Sequence, residues 1–378
     1  MQKFLKFILV VGARPNFMKV APLIHGIIEH NDRIVNNGVR INYLLVHTGQ
    51  HYDIEMSEVF FQDLKIPKPE VNLEVGSASH AVQTAQIMIG FEQVCVREKP
   101  DWVVVVGDVN STMACTLVAT KLGIKVAHVE AGLRSFDRTM PEEINRLVTD
   151  TLADLLFTPS RDADENLIRE GIPREKITCV GNIMIDTLVC NLKNARQAQA
   201  NEKFGLKANQ YVFVTMHRPS NVDQEKSLSS IMEILFDLSK KIDVIFPVHP
   251  RTKKQMVKYG FWEKGKEAAR MILIEPLNYL DTIGLIEKAR LVITDSGGLQ
   301  EETTYLRIPC LTLRPNTERP VTIKQGTNKL TSIERLLNDI EFILNGYCQR
   351  STIPDLWDGH TSERIIYNLI NFSCNCKI

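Results

Sequence analysis

The fold is decided by residues 101–132, which read DWVVVVGDVNSTMACTLVATKLGIKVAHVEAG. The apolar, β-branched run WVVVV is typical of a strand that is buried on both faces. The next segment has the apolar spacing of a helix, is capped by Asn110 or Ser111 and ends at Gly123. The run KVAHVE predicts another strand, so the segment indicates two parallel strands joined by a helix.

The same alternation of apolar strands and helical segments extends over nearly the whole chain. It begins with KFILVVG, pauses in the polar stretch 193–210 and resumes with YVFVTMH. This pattern predicts an α/β fold with parallel sheets, and the pause predicts a second domain. We expect two Rossmann-like domains whose sheets face each other across a cleft. The N-terminal domain would comprise residues 1–180 plus 363–378, and the C-terminal domain residues 181–362.

Composition and charge exclude several classes of protein. The 378 residues exceed what one compact core usually holds, and 45 basic residues balance 45 acidic ones. A net charge of zero argues against a broad nucleic-acid surface. No run of about 18 apolar residues is present, and the N-terminus is read as a buried strand instead of a signal peptide. We therefore expect a cytoplasmic protein with no nucleic-acid partner and no membrane span.

The eight cysteines predict neither a disulfide scaffold nor a metal site. Most of them lie in apolar runs, where a free cysteine behaves as a small hydrophobic residue. Cys374 and Cys376 form a close pair near the C-terminus, but no His or Cys stands at ligand spacing from them. We therefore expect free thiols and no bound metal.

Ionisable residues follow several of the predicted strands directly. Ligands of open parallel sheets bind beyond the carboxyl ends of the strands, so these residues are candidates for a binding site. Two such edges facing each other would form a polar cleft. The strand-end residues are Arg14, Asp108, Glu130, His217, His249 and Asp295.

The turn Ser296-Gly297-Gly298 is the clearest candidate for an anion site. It lies between a strand and a helix, where glycines allow close approach and free N–H groups favour negative charge. A phosphate or diphosphate fits this turn, but an empty glycine-rich turn explains the pattern about equally well. The chain contains neither GxGxxG nor GxxxxGK[ST], so we expect no bound NAD or FAD and no P-loop.

The stretch 128–146, HVEAGLRSFDRTMPEEINR, is dense in charged residues directly after a buried strand. Glu142 and Glu143 follow a proline in the first turn of a predicted helix, and this local preference suffices for one of them. Glu130 is harder to explain structurally, because it ends an apolar strand. His217 alone is more often structural than catalytic, although the adjacent Arg218 favours an anionic ligand.

Seven runs in order resemble the non-hydrolysing UDP-N-acetylglucosamine 2-epimerases: GARPNFMK, GDVNST, HVEAGLRS, MPEEINR, MHRPSN, TDSGGLQEE and RPNTERP. The resemblance spans residues 8 to 330. It implies two lobes like those of type-B glycosyltransferases, with a C-terminal helix that returns to the first lobe. It also implies interconversion of UDP-GlcNAc and UDP-ManNAc without a cofactor, a homodimer, and a place in cell-surface polysaccharide biosynthesis.

The resemblance also implies roles for individual residues. Asp108, Glu130 and Glu142 would be catalytic carboxylates, and His217 an additional catalytic group. The UDP-sugar would be bound by Arg14, Lys19, Ser296, Gly297, Gly298, Glu302 and Arg314. Of these, Glu302 would hold the ribose and Arg314 the nucleotide side.

The sequence departs from the family in two places. The segment 277–282 reads Leu-Asn-Tyr-Leu-Asp-Thr, where the family often has a Gln and an aromatic residue near the uracil. Gln50, His51 and His249 match parts of a second, activating UDP-GlcNAc site, but Asp53 replaces the common Gln and 76–79 lacks a basic residue. We therefore do not expect activation at a second site.

The residues fit an elimination mechanism better than transient oxidation, since no dinucleotide fingerprint is present. A carboxylate would remove the C2 proton as UDP leaves, which gives a 2-acetamidoglucal, and UDP would then add back. Four alternatives stay open on the sequence alone. They are an epimerase of a modified UDP-sugar such as a diacetamido-uronate, a hydrolysing epimerase, a glycosyltransferase of the same fold, and a non-catalytic sensor.

Overall fold

The computed structural model describes residues 3–34, 38–50, 66–346 and 351–375, except the side chains of Arg14 and Asn375. The helix that the sequence predicts at 54–64 lies outside these ranges. Within them, no helix is long and apolar enough to cross a membrane.

The chain divides into two compact units. The N-terminal unit comprises Met1–Thr187 and Asp355–Ile378, and the C-terminal unit comprises Leu188–Pro354. These divisions differ by a few residues from the predicted 180/181 and 362/363, and both differences enlarge the N-terminal unit.

Contacts within the N-terminal unit explain the difference. The Thr187 hydroxyl donates to the carbonyl oxygen of Met18. On the other side, Trp357 Nε1 donates to the carbonyl oxygen of Pro159 at 3.0 Å. The sequence pattern marks where polar residues begin, but it does not reveal these long-range anchors.

The N-terminal unit contains a parallel sheet of seven strands. Their spatial order is β3-β2-β1-β4-β5-β6-β7. The strands are β1 (Phe4–Val11), β2 (Arg40–His47), β3 (Val71–Asn72), β4 (Trp102–Val106), β5 (Lys125–Val129), β6 (Leu155–Thr158) and β7 (Ile177–Cys179).

Helices connect these strands, and a 3₁₀ turn at Arg174–Lys176 precedes β7. The helix α6 begins in the N-terminal unit and ends in the C-terminal unit. The helices up to it are α1 (Arg14–Arg33), α2 (His80–Glu98), α3 (Asn110–Lys121), α4 (Pro141–Leu152), α5 (Arg161–Arg169) and α6 (Ile183–Gln197).

The C-terminal unit contains a parallel sheet of six strands in the order β10-β9-β8-β11-β12-β13. The strands are β8 (Tyr211–Thr215), β9 (Asp243–Pro247), β10 (Met271–Ile274), β11 (Leu291–Thr294), β12 (Cys310–Leu313) and β13 (Asn328–Thr331). Its helices are α7 (Ala200–Lys203), α8 (Pro219–Val222), α9 (Glu225–Ser239), α10 (Pro250–Lys258), α11 (Phe261–Glu267), α12 (Tyr279–Glu287), α13 (Gly298–Leu306), α14 (Val321–Lys324) and α15 (Ile333–Leu344).

The last helix, α16 (Thr361–Asn375), returns to the N-terminal unit. Its first two free N–H groups, those of Thr361 and Ser362, donate to the buried carboxylate of Asp186 on α6. This carboxylate satisfies helix-end donors that would otherwise lack partners.

Both faces of the C-terminal sheet are covered, as the continuous apolar strands predict. In β8, Val212 and Val214 pack in one core cluster with residues of α9 and α15. The alternate residues Tyr211 and Phe213 pack in a second cluster with residues of α12. Because successive side chains of a strand point to opposite faces, helices must lie on both sides. The predicted fold class, two parallel-sheet α/β domains, is confirmed.

Candidate active site

Asp108 lies in the turn after β4 and is held by two residues of α4. Arg146 Nη1 donates to Asp108 Oδ2 at 2.5 Å, and the Asn145 amide donates to the Asp108 carbonyl oxygen at 2.9 Å. About a third of the Asp108 side chain is exposed, at 32 %. The carboxylate is therefore fixed in position and still accessible to a ligand.

Glu130 follows β5 in a left-handed backbone conformation, with a φ of +71°. Its side chain is buried and forms an ion pair with Lys19 of α1. Gly107, next to Asp108, lies against this pair: a Cβ atom there would be 2.6 Å from Lys19 Nζ and 3.5 Å from Glu130 Oε2. The backbone that carries Asp108 therefore lies beside the Glu130 carboxylate.

The neighbouring acids Glu142 and Glu143 have different surroundings. Glu143 is buried, pairs with Arg146 at 2.5 Å and accepts hydrogen bonds from the backbone N–H groups of Ser135 and Phe136. Burial raises the pKa of Glu143, but these hydrogen bonds and Arg146 outweigh it and lower the pKa. Glu142 is exposed at the start of α4. Glu143 thus joins α4 to the preceding loop, while Glu142 is accessible.

A buried polar network lies behind the same turns. His128 Nε2 contacts the carbonyl oxygen of Gly107 at 2.8 Å, and its Nδ1 contacts Asp150 Oδ1 at 2.6 Å. Asp150 also pairs with Arg134 at 2.7 Å, which pairs in turn with Glu170 through two nitrogens. These residues connect β5, α4 and the loop after Glu130.

In the C-terminal unit, His217 follows β8 and lies beside the buried Asp295, which follows β11. His217 Nδ1 is 3.1 Å from Asp295 Oδ1, and the backbone N–H groups of His217 and Arg218 also donate to this carboxylate. Burial raises the pKa of Asp295, but the contacts with His217, Arg218 and Asn221 lower it overall. Asp295 therefore orients the partly exposed His217.

The Ser296-Gly297-Gly298 turn leads from β11 into α13. No side chain caps the N-terminus of α13. A Cβ atom at Gly298 would meet no atom of the described residues within 4 Å, whereas one at Gly297 would lie 3.0 Å from Arg319 and Glu318. The turn thus presents an uncapped helix N-terminus with open space at Gly298, as an anion site requires, although the Ser296 N–H itself donates to Thr294 Oγ1.

Glu302 is buried on α13. Its pKa is raised from 4.5 to about 8, mainly by burial, with a smaller increase from the charge of Glu301 and a partly offsetting decrease from the Tyr279 hydroxyl. A buried carboxyl group with this pKa is a candidate for binding hydroxyl groups of a ligand.

Arg314 follows β12 and is buried. Its Nη2 donates to Glu318 at 2.9 Å, but Nε and Nη1 have no hydrogen-bond partner among the described residues. Glu318 also pairs with Arg319, which pairs with Glu301 at 2.8 Å. Arg314 therefore retains donors for an anionic ligand.

Comparison with known proteins identifies the family. The model of the family described as UDP-N-acetylglucosamine 2-epimerase matches residues 33–370. The UDP-N-acetylglucosamine 2-epimerase of Methanocaldococcus jannaschii is 42 % identical over 369 residues, covering 96 % of this chain and 98 % of that protein. The chain belongs to the UDP-N-acetylglucosamine 2-epimerase family. This confirms the resemblance found in the seven sequence motifs and supports an enzyme that epimerises a UDP-sugar.

Three further comparisons bear on substrate and fold. The crystal structure of the M. jannaschii epimerase with UDP-GlcNAc and UDP superposes with a TM-score of 0.85 at 41 % identity, covering 97 % of this chain and 99 % of that one. The UDP-2,3-diacetamido-2,3-dideoxy-D-glucuronate 2-epimerase of Pseudomonas aeruginosa is 38 % identical, covering 88 % of this chain and 89 % of that protein. A lipopolysaccharide galactosyltransferase, 15 % identical with a TM-score of 0.52 over 98 % of this chain and 99 % of that one, shares the fold alone.

The structure brings the predicted residues of this epimerase-family chain together in two groups. Asp108, Glu130 and Lys19 form one group in the N-terminal unit. In the C-terminal unit, Ser296, Gly297, Gly298 and Glu302 share one strand-to-helix segment, and Gly297 lies close to Arg319. The Arg14 side chain, and His51 and Asp53 of the possible second site, lie outside the described residues.

Sequence reasoning assigned no role to His128, Asp150 or Arg146. A histidine inside an otherwise apolar strand is the one signal that would have drawn attention to His128. Asp150 lies on the buried face of an amphipathic helix, where a carboxylate requires a partner. Arg146 lies in the charged stretch 128–146, but the sequence does not indicate its hydrogen bond to Asp108, because the two residues are 38 positions apart.

We predict that Glu302 makes stability fall as the pH rises. With a pKa of about 8, folded Glu302 keeps its proton where the unfolded chain, with a pKa near 4.5, has lost it. Its stabilising contribution is complete below pH 4.5 and is lost as the pH rises to 8. Relative to wild type, Glu302→Gln should therefore gain roughly 2–4 kcal/mol in unfolding free energy between about pH 5 and pH 8, measured by urea denaturation.

Glu318→Gln is the matched control with the opposite sign. Burial raises the pKa of Glu318, but Arg319 and Arg314 outweigh it and hold the pKa well below its usual range. The amide would leave two buried guanidinium groups without their anion, so roughly 3–5 kcal/mol should be lost at neutral pH. The prediction for Glu302 is contradicted if the difference in unfolding free energy between Glu302→Gln and wild type is the same at pH 5 and at pH 8.

Proposed function

We propose that this chain interconverts UDP-N-acetylglucosamine and UDP-N-acetylmannosamine by eliminating UDP and adding it back, without net hydrolysis. One observation carries the proposal: Asp108 and Glu130 follow neighbouring strands, and Gly107 packs against the Glu130–Lys19 ion pair. Two carboxylates carried by neighbouring strand ends are suited to moving a proton between the faces of a sugar carbon. Family membership and the relative that was crystallised with UDP-GlcNAc and UDP support the substrate.

In the elimination step, a carboxylate takes the C2 proton while the C1–O bond breaks, and its electron pair leaves with UDP. In the reverse step, the alkene accepts a proton at C2 from the other face, and a phosphate oxygen of UDP attacks C1. Asp108, Glu130 and Glu142 are the proposed acid and base groups. The accessible His217, oriented by Asp295, is proposed to assist the departing diphosphate.

The leaving group is assigned mainly to the C-terminal unit. The open N-terminal end of α13, at Ser296, Gly297 and Gly298, would accept the diphosphate. The two unbonded nitrogens of Arg314 would face the nucleotide, and Glu302 would accept hydrogen bonds from the ribose hydroxyls. Lys19 and Arg14, at the start of α1, would add positive charge at the diphosphate.

We predict that turnover in deuterium oxide places deuterium at C2 of both sugars, because elimination exchanges this proton with solvent. Asp108→Asn and Glu130→Gln should reduce turnover by about 10³-fold or more while UDP still binds. Proton NMR gives the label, and isothermal titration gives the UDP affinity. Epimerised product that carries no deuterium contradicts elimination.

Glu165→Gln is the matched control for these variants. This carboxylate is exposed on α5 in the same unit, so its loss should leave turnover unchanged. Near-normal rates in both Asp108→Asn and Glu130→Gln would show that the carboxylates are assigned wrongly.

We also predict that Gly298→Ala weakens UDP binding about tenfold, or by about 1.4 kcal/mol, without lowering stability. The added methyl group meets no described atom of the protein, and Gly298 does not have a positive φ. It would occupy the space of the proposed phosphate. Titration with UDP and thermal unfolding of the same variant separate the two effects, and unchanged affinity would place the phosphate elsewhere.

A second candidate function is epimerisation of a diacetamido-uronate, since a relative at 38 % identity carries that name. Proton NMR with a panel of UDP-sugars distinguishes the two substrates. In the same assay, sustained release of free UDP would indicate a hydrolysing enzyme, and a requirement for an acceptor sugar would indicate a transferase.

We further propose a homodimer that supplies a precursor of cell-surface polysaccharide. Three apolar side chains, spaced seven residues apart on α2, are largely exposed: Val82 at 49 %, Ile89 at 63 % and Val96 at 59 %. A groove of about 520 Å³, lined by Met88 and Ile144, adjoins this helix. This apolar face suits a second copy of the chain.

The Ile89→Glu variant should sediment as a monomer. The control variant Val257→Glu, at an exposed position on α10, should keep the mass of the wild-type protein. A monomeric wild-type protein would refute the dimer.

A further inference from the structure

His128 is fully buried, and both of its ring nitrogens face hydrogen-bond acceptors. Nε2 lies 2.8 Å from the Gly107 carbonyl oxygen, which can only accept, so Nε2 carries a proton. Nδ1 lies 2.6 Å from Asp150 Oδ1. Burial raises the pKa of Asp150, but His128 and Arg134 outweigh it and lower the pKa, so Asp150 is ionised and accepts from Nδ1. Both ring nitrogens therefore contact oxygen atoms, and these two contacts fix the position of the ring.

Asp150 extends this connection to a second turn. Its Oδ2 accepts a hydrogen bond from the backbone N–H of Gly132 at 3.1 Å and pairs with Arg134 at 2.7 Å. Gly132 is two residues beyond Glu130, and Gly107 is one residue before Asp108. One buried pair, His128 with Asp150, is thus bonded to the turns that carry both proposed catalytic carboxylates.

One residue of these turns, Glu130, has a strained backbone conformation. Gly107, Glu130 and Gly132 all have positive φ values, of +68°, +71° and +78°. For a residue other than glycine, the left-handed conformation costs about 1–2 kcal/mol. A non-glycine residue in this conformation persists only where the surrounding contacts enforce it, and such residues cluster at active sites.

We propose that the His128–Asp150 pair is a positioning device that sets the placement of Asp108 relative to Glu130. The pair does not touch the substrate and acts through the backbone of the two turns. The inference rests on the proposed function, since it assumes that these two carboxylates exchange the C2 proton. A shift of about 1 Å between reacting groups slows a reaction about 10²-fold, which is why such a device matters.

The alternative is that the pair only stabilises the fold. A structural pair determines how much protein is folded, so its loss lowers the yield or the melting temperature. It leaves KM and the isotope effect of the folded molecules unchanged. A positioning pair controls proton transfer itself, so its loss slows the chemical step in molecules that are fully folded.

The test uses Asp150→Asn and His128→Gln, assayed with substrate that carries hydrogen or deuterium at C2. We expect kcat per folded molecule to fall between tenfold and 10²-fold in both variants, with KM within about threefold of wild type. The primary isotope effect on kcat should increase, because C2–H cleavage becomes rate-limiting. UDP affinity should stay within about twofold, since the proposed phosphate turn lies in the other unit.

Glu170→Gln is the control within the same network. Glu170 pairs with Arg134 but contacts neither turn, so its loss should lower the melting temperature without changing kcat or the isotope effect. The inference is overturned if both variants keep a wild-type isotope effect, or if neither of them folds. If wild type itself exchanges no C2 hydrogen with solvent, the proposed function fails instead, and the two failures are thereby distinguished.

Discussion

The end of β4 packs directly against the ion pair between Glu130 and Lys19. A Cβ atom at Gly107 would lie only 2.6 Å from Lys19 Nζ. The φ of +68° there is left-handed, a conformation that glycine adopts without strain. Asp108 follows this glycine directly. The backbone that carries Asp108 therefore lies beside the Glu130–Lys19 ion pair. Catalysis by preorganised groups needs this kind of rigidity.

Buried charges surround this contact, and each has a partner. Lys19 balances Glu130, Arg146 balances Asp108 and Glu143, and the neighbouring network behind the turns is paired in the same way. Burying an ion pair contributes little net stability, whereas removing one partner is strongly destabilising. The network therefore adds little to the stability of the fold, but it fixes the positions of the charged side chains. Fixed positions suit the proposed site, where the carboxylates must be placed accurately.

The two parallel sheets and the residues that follow their strands were predictable, because apolar runs and helical spacing show where each strand ends. The partners of these residues were not. Periodicity places Lys19 on α1 and Glu130 after β5, but it does not indicate that the two meet. The short edge strands β3 and β13 were also missed. Asn328 of β13 is buried and bonded to Thr312 and Gln300, so its strand does not look apolar in sequence.

Glu142 and Glu143 illustrate why residue type and position in a helix are insufficient. Both acids suit the first turn of α4 equally well, and the family resemblance alone singles out Glu142. Only the loop that returns over α4 does so, because Ser135 and Phe136 present backbone donors to Glu143 and leave Glu142 exposed. The carboxylate oxygens of Glu143 are occupied by hydrogen bonds within the protein. Of the two acids, only Glu142 keeps carboxylate oxygens that face solvent, which supports the proposed role of Glu142.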